Sequence, residues 1–100
     1  MKYDENFFVV NRDKTAVKVK GATYTKDKRL FVHRGDKGFI LTDKATGLAV
    51  VGGKTLKQLD NNYYEKLALY NKVFNGSNYK DFKRNLNNIL REGVILYECR

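Results

Sequence analysis

Hydrophobic and polar residues alternate through the first half of the chain, then shift to a spacing of three and four. Thr15 to Thr25 sets Val17 and Val19 against Lys18 and Lys20, the period of two expected of a half-buried strand. Gly21 interrupts that segment and predicts a bulge. Asn6 to Arg12 carries the β-rich run Phe7-Phe8-Val9-Val10. Arg29 to Arg34 and Gly38 to Asp43 flank Gly35-Asp36-Lys37, a three-residue hairpin loop. Asp43 to Gly47 then turns the chain into Leu48-Ala49-Val50-Val51. Short strands joined by tight turns predict a four-stranded antiparallel meander.

The period changes at Gly52-Gly53. Thr55 and Gln58 have capping-box spacing, so a helix starts there, with Leu56, Leu59, Tyr63, Leu67, Tyr70 and Phe74 as its apolar positions. Asp60-Asn61-Asn62 marks a place for a break or kink, and Asn75-Gly76 a stop. A second helix runs from Ser77 or Asn78 to Glu92-Gly93, and Val94 to Tyr97 reads as a strand returning to the sheet. The order β-β-β-β-α-α-β is an α+β plan with the helices on one face, forming a single domain over residues 1–100.

Composition narrows the class. The 100 residues hold 20 Lys and Arg against 11 Asp and Glu, a formal charge of +9, which favours a polyanionic partner. No apolar run approaches the roughly 20 residues needed to cross a bilayer, so no membrane role is expected. The N-terminal segment has acids early and lacks the apolar core of a secretory signal. A lone Cys99 leaves no internal disulfide and suits a reducing, cytoplasmic setting.

Enzyme chemistry finds little support. Gly52-Gly53-Lys54-Thr55 lies between a strand and a helix, as a phosphate-cradling loop does. The glycine five residues before Gly53 is missing, because Leu48 stands there. The segment reads as a turn into a capped helix, with Lys54 placed to grip one backbone phosphate. His33 is the only histidine, and together with Cys99 it gives too few ligands for a structural zinc site. Asp36 and Asp43 sit in turns, where Asp bonds its own backbone. No catalytic residue, metal or cofactor is expected. A small nuclease using His33 ranks last.

The second helix carries organised charge. At about 100° per residue, Tyr79, Phe82, Leu86, Ile89 and Leu90 share a core stripe. Lys80, Lys83, Arg84, Asn87 and Arg91 share a second arc, while Asp81, Asn85 and Glu92 take the third. A second basic cluster comes from the strands: Lys18 and Lys20 share one face, outward if Val17 and Val19 point inward. Lys28 and Arg29 lie in the next turn, with Arg12 and Lys14 in the first. Tyr24 and Phe31 offer stacking surfaces for unpaired bases if they face outward.

Gly38-Phe39-Ile40-Leu41-Thr42-Asp43, Thr46-Gly47-Leu48-Ala49-Val50 and Gly53-Lys54-Thr55-Leu56-Lys57 resemble small accessory proteins of phages and mobile elements. In those a hairpin strand with a Thr-Gly turn leads into a helix opening on Lys-Thr. The resemblance implies a non-enzymatic factor, either a DNA-binding regulator or an anti-CRISPR-type inhibitor, and transfers no active residues. Two expectations follow. One is a nucleic-acid-binding protein, for DNA or RNA, working through Lys18, Lys20, Lys28, Arg29, Lys54, Lys80, Lys83, Arg84, Asn87 and Arg91. The other is a module that inhibits a host nucleic-acid-processing or defence enzyme, with Tyr64 as interface anchor and a homodimer as a further arrangement.

Overall fold

The computed structural model describes residues 2–11, 15–92 and 95–97; Arg12, Lys14 and Cys99 lie outside them. Five strands, not four, make the antiparallel meander: β1 (Glu5–Val10), β2 (Ala16–Thr23), β3 (Leu30–Gly35), β4 (Gly38–Asp43) and β5 (Ala49–Gly53). The Phe7–Val10 run is a full member because β1 pairs along its whole length, from Glu5 opposite Gly21 to Val10 opposite Ala16. Helices α1 (Leu56–Phe74) and α2 (Tyr79–Glu92) follow, and then β6 (Ile95–Tyr97). β6 runs parallel to the start of β2, at Ala16–Lys18, while β3 pairs with Gly21–Thr23 at its far end. One strand thus serves two neighbours along the same edge.

Register decides which side chains face the helices. Leu30, Val32 and Leu41 pack with Leu59, Tyr63 and Tyr70 of α1. Ala16, with Phe8 and Val10 beside it, packs with Leu86, Ile89 and Leu90 of α2. Ala22 lies opposite Val32, so Ala16, Lys18, Lys20 and Ala22 alternate onto this same helix-bearing face. The expectation that Val17 and Val19 would face the main core, with the lysines on an open sheet surface, is therefore reversed. The valines lie on the other face, with Phe7, Phe31, His33 and Ile40.

That second face has no helix of its own, yet Val19, Phe31 and His33 are buried there and Phe7, Val17 and Ile40 half-buried. The sheet curls until the outer edge of β1 reaches the β4–β5 turn, where the Val10 N–H donates to the Gly47 carbonyl at 2.8 Å. Inside the curl, Phe7 and Phe31 stack at 4.3 Å, and Phe31 and His33 are fully or nearly buried. His33 Nε2 lies 2.9 Å from Thr42 Oγ1 on the adjacent strand. Gly21 makes this possible. A Cβ there would sit 2.5 Å from the Val32 carbonyl oxygen and 3.3–3.4 Å from both phenyl rings. No bulge occurs at Gly21; the register shift lies at Leu41/Thr42, against β5.

Helix α1 opens as its sequence dictates. The Gln58 N–H donates to Thr55 Oγ1 at 3.1 Å, and Gln58 Oε1 accepts from the Lys54 N–H at 2.9 Å. The helix continues unbroken through Asp60-Asn61-Asn62, because these side chains bond outward: Asp60 to the β2–β3 loop and Asn62 to the Gly52 carbonyl. Both helices are tied to the sheet by one buried carboxylate. Asp43 accepts the Tyr70 hydroxyl at 2.5 Å and the Tyr79 hydroxyl at 2.8–2.9 Å, along with the Ala45 and Thr46 N–H groups. Asp43→Asn places an amide among these donors. A loss of about 2–4 kcal/mol is expected, since a buried acceptor site is left mismatched. Urea denaturation measures it, and a loss below about 0.5 kcal/mol, the range of an ordinary surface change, contradicts the assignment.

Candidate nucleic-acid interface

The rotation of α2 is set from both ends of its apolar stripe. Tyr79 is held at Asp43, and Leu86 and Ile89 are buried against β1 and β2. With those residues fixed inward, Lys80, Arg84, Asn87 and Arg91 fall on one exposed flank at spacings of four, three and four. Among the described residues, the only ion pair on this flank is Arg84 with Asp81 at 3.8 Å, between two well-exposed side chains, which contributes little. Lys83 departs from the expected arc. It is half-buried, with its ammonium 5.4 Å from the centre of the Tyr79 ring. Phe82, expected in the core stripe, is 38% exposed.

The strand lysines lie beside this helix. Lys18 sits opposite Phe8, which packs against the α2 cluster, and Lys20 sits opposite Asn6 on the same face. Lys20 is exposed and Lys18 half-buried. The two sequence-predicted clusters therefore share the helix-bearing side of the sheet. Lys28 is exposed in the β2–β3 loop, and Lys54 is exposed before α1, at the far end of β5. Tyr24 is buried, not outward, and Phe31 is enclosed by the curl, so neither offers a stacking surface.

Arg29 is occupied within the fold. Its guanidinium pairs with Asp27 through Nε at 2.8 Å and Nη2 at 2.5 Å, and Nη2 also donates to Asn71 Oδ1. The plane lies over Tyr70 and Phe74 at 4.6 and 4.7 Å. The bond to Asp27 raises the affinity of Arg29 for its proton. Arg29 thereby fastens the β2–β3 loop to α1, a role that the basic turn sequence gave no sign of.

Two further Tyr–Asp pairs complete the fastening. Tyr63 donates to Asp27 Oδ2 at 2.9 Å, and Tyr24 donates to Asp60 Oδ1 at 2.5 Å, with Lys26 on the other oxygen of Asp60. The hydrogen bond from Arg29 lowers the Asp27 carboxyl below the ordinary carboxylate range. Burial pushes Asp60 up, but the bonds from Lys26 and Tyr24 outweigh it and the net shift is downward. Burial, reinforced by Asp27, pushes Tyr63 up to about 12. Burial and the facing carboxylates likewise raise Tyr24, Tyr70 and Tyr79. Tyr63, Tyr70 and Tyr79 are legible in the sequence as core positions, whereas Tyr24 reads there as a stacking surface. A phenol buried in a core needs an acceptor, and that need was the available signal for Asp27, Asp43 and Asp60.

Among the described residues, no three His, Cys, Asp or Glu side chains gather as metal ligands. No helix among them is long and apolar enough to cross a membrane.

Both limbs of the stability profile follow from these pairs. Asp27 and Asp60, depressed in the fold, contribute stability above the unfolded carboxyl value of about 3.9 and lose it as pH falls through their folded values. The raised tyrosines contribute fully below the unfolded value of about 10 and lose that contribution as pH rises beyond it. Urea midpoints measured across pH should fall at both extremes. Tyr63→Phe should be less stable at neutral pH and show a shallower alkaline limb. An unchanged alkaline limb in that variant would contradict the assignment.

No protein-family model matches the chain, and the searches of curated proteins and of solved structures found no similar protein either.

Proposed function

We propose that the chain is a small non-enzymatic nucleic-acid-binding accessory protein that grips the phosphate backbone with the exposed flank of α2 and the neighbouring β2 lysines. The observation that carries this reading is that both basic clusters lie on the helix-bearing side of the sheet. Lys80, Arg84, Asn87 and Arg91 line one exposed flank, and Lys18 and Lys20 lie on the same side of the sheet, next to the footprint of that helix.

The eleven helical steps from Lys80 to Arg91 span about 16 Å. Over that length one DNA strand presents about five phosphates along its axis. The three cations make point or forked contacts with phosphate oxygens, and the Asn87 amide adds a donor and an acceptor. Such contacts position a nucleic acid without reading its bases, so binding is governed by charge and backbone shape. Lys28 and Lys54 stand at other places on the surface and add to the general field. Arg29 serves the fold.

The alternative, a protein-interaction module that inhibits a nucleic-acid-processing or defence enzyme, draws on Tyr64, which is 57% exposed and has its ring 5.2 Å from that of Tyr63. A host protein that stays bound after nuclease treatment and is lost in Tyr64→Ala would favour this second reading.

Fluorescence polarisation against duplex DNA, single-stranded DNA and RNA tests the first. Each phosphate neutralised on a duplex contributes about 0.9 to the slope of log affinity against log salt. The triple variant Lys80→Ala/Arg84→Ala/Arg91→Ala should therefore bind at least tenfold more weakly at low salt and lose up to about 2.7 of that slope. Absence of binding to all three nucleic acids at about 50 mM salt, or a slope unchanged in the folded triple variant, overturns the reading.

A further inference from the structure

Strand β5 ends the meander, and its outer edge pairs with no other strand among the described residues. Its sequence, Ala49-Val50-Val51-Gly52-Gly53, contains no charge and no proline, two of the devices that keep a sheet edge from recruiting another strand. Helix α1 runs back beside it. Asn62, Lys66, Leu69 and Val73 follow at spacings of three and four and so share one flank of the helix. That flank faces β5, because the Asn62 amide donates to the Gly52 carbonyl at 2.8 Å. Toward the other end of β5, helix and strand border a groove of about 160 Å³ lined by Ala49, Val50, Lys66, Leu69, Tyr70 and Val73. Leu69 is 54% exposed and Val73 44%.

We infer that this groove is a docking site for an extended, acidic-apolar segment of a partner protein, which adds a strand to β5 and sets alternate side chains between Leu69 and Val73. Two observations select this occupant. The backbone edge and the apolar flank together match strand addition, in which main-chain hydrogen bonds give affinity and every second side chain enters a pocket. The charge in the groove selects the sign: Lys66 is the sole ionisable cation of the lining, and no carboxylate lines it. A second copy of this chain would bring Lys66 and the +9 of another molecule to the same place, an arrangement that like charges oppose. An acidic residue in the added strand instead meets Lys66 directly. The inference is independent of the α2 reading, because none of the groove residues belongs to that flank.

The test is selection from a displayed library of random octapeptides on the intact immobilised chain, followed by titration of the enriched peptides. Enriched peptides should alternate apolar and acidic residues. They should perturb the amide resonances of Ala49–Val51 and of Leu69–Val73 and bind at least tenfold more weakly to Lys66→Glu and to Leu69→Ser. Both substituted residues are exposed, so both variants should keep the parent denaturation midpoint, while Lys80→Ala should bind the peptides as the parent does. No enrichment overturns the inference, as does enrichment of basic peptides or binding insensitive to Leu69→Ser. Sedimentation that shows a dimer dissolved by Leu69→Ser also overturns it, by giving the groove to a second copy.

Discussion

Everything on the helix-bearing side depends on the buried carboxylate of Asp43. It stands at the end of β4, where its oxygens cap the turn that follows, and it receives the hydroxyls of Tyr70 from α1 and Tyr79 from α2. Two helices with separate apolar stripes are thereby referred to a single point on the sheet. The arrangement is strong because its members are charge-assisted bonds in a dry setting, and demanding because a missing donor leaves charge buried without compensation. Asp27 and Asp60 repeat the device at smaller scale, each pairing a tyrosine with a cation across the junction of the β2–β3 loop and α1.

This wiring divides the positive charge into two kinds. Arg29, Lys26 and Lys83 are engaged with carboxylates or rings inside the molecule. Lys20, Lys80 and Arg91 are exposed, outside the ion pairs of the described residues. A formal charge therefore overstates what a partner meets, and the distribution of the exposed cations matters more than the sum. Lys80, Arg84 and Arg91 share one exposed flank of α2. At the β5 edge, on the other helix, a lone Lys66 marks an otherwise apolar groove.

Much of the architecture was legible because it rests on local rules. The Thr55–Gln58 cap, the hairpin between β3 and β4 and the stop at Asn75-Gly76 depend on residues near one another in the chain, although Gly35 pairs with Gly38 and leaves a two-residue loop, Asp36-Lys37, where three were expected. The orientation of β2 was not legible. Alternation says that Val17 and Val19 oppose Lys18 and Lys20, but not which face the helices will cover. Here the valine face is enclosed by the curl of the sheet itself, around Phe7, Phe31 and Gly21, which leaves the lysines on the helix side. The long-range partners of Arg29 and Asp43 were equally hidden. A turn arginine and a turn aspartate carry no local mark of the helix residues they will meet. The α2 flank, by contrast, needed only helical geometry, and Lys80, Arg84, Asn87 and Arg91 fall where that geometry puts them.

Helix α2 is held at its first residue by the Tyr79–Asp43 bond, and the strand beyond its end is paired with Ala16–Lys18. A helix restrained at one end can swing and fray; one anchored before and after behaves as a rigid rail. Its flank keeps its spacing in the absence of any ligand, so on the proposed reading the residues along it would enter a complex already aligned. The entropy of arranging them is spent during folding, and the cost of association falls mainly on the side-chain tips.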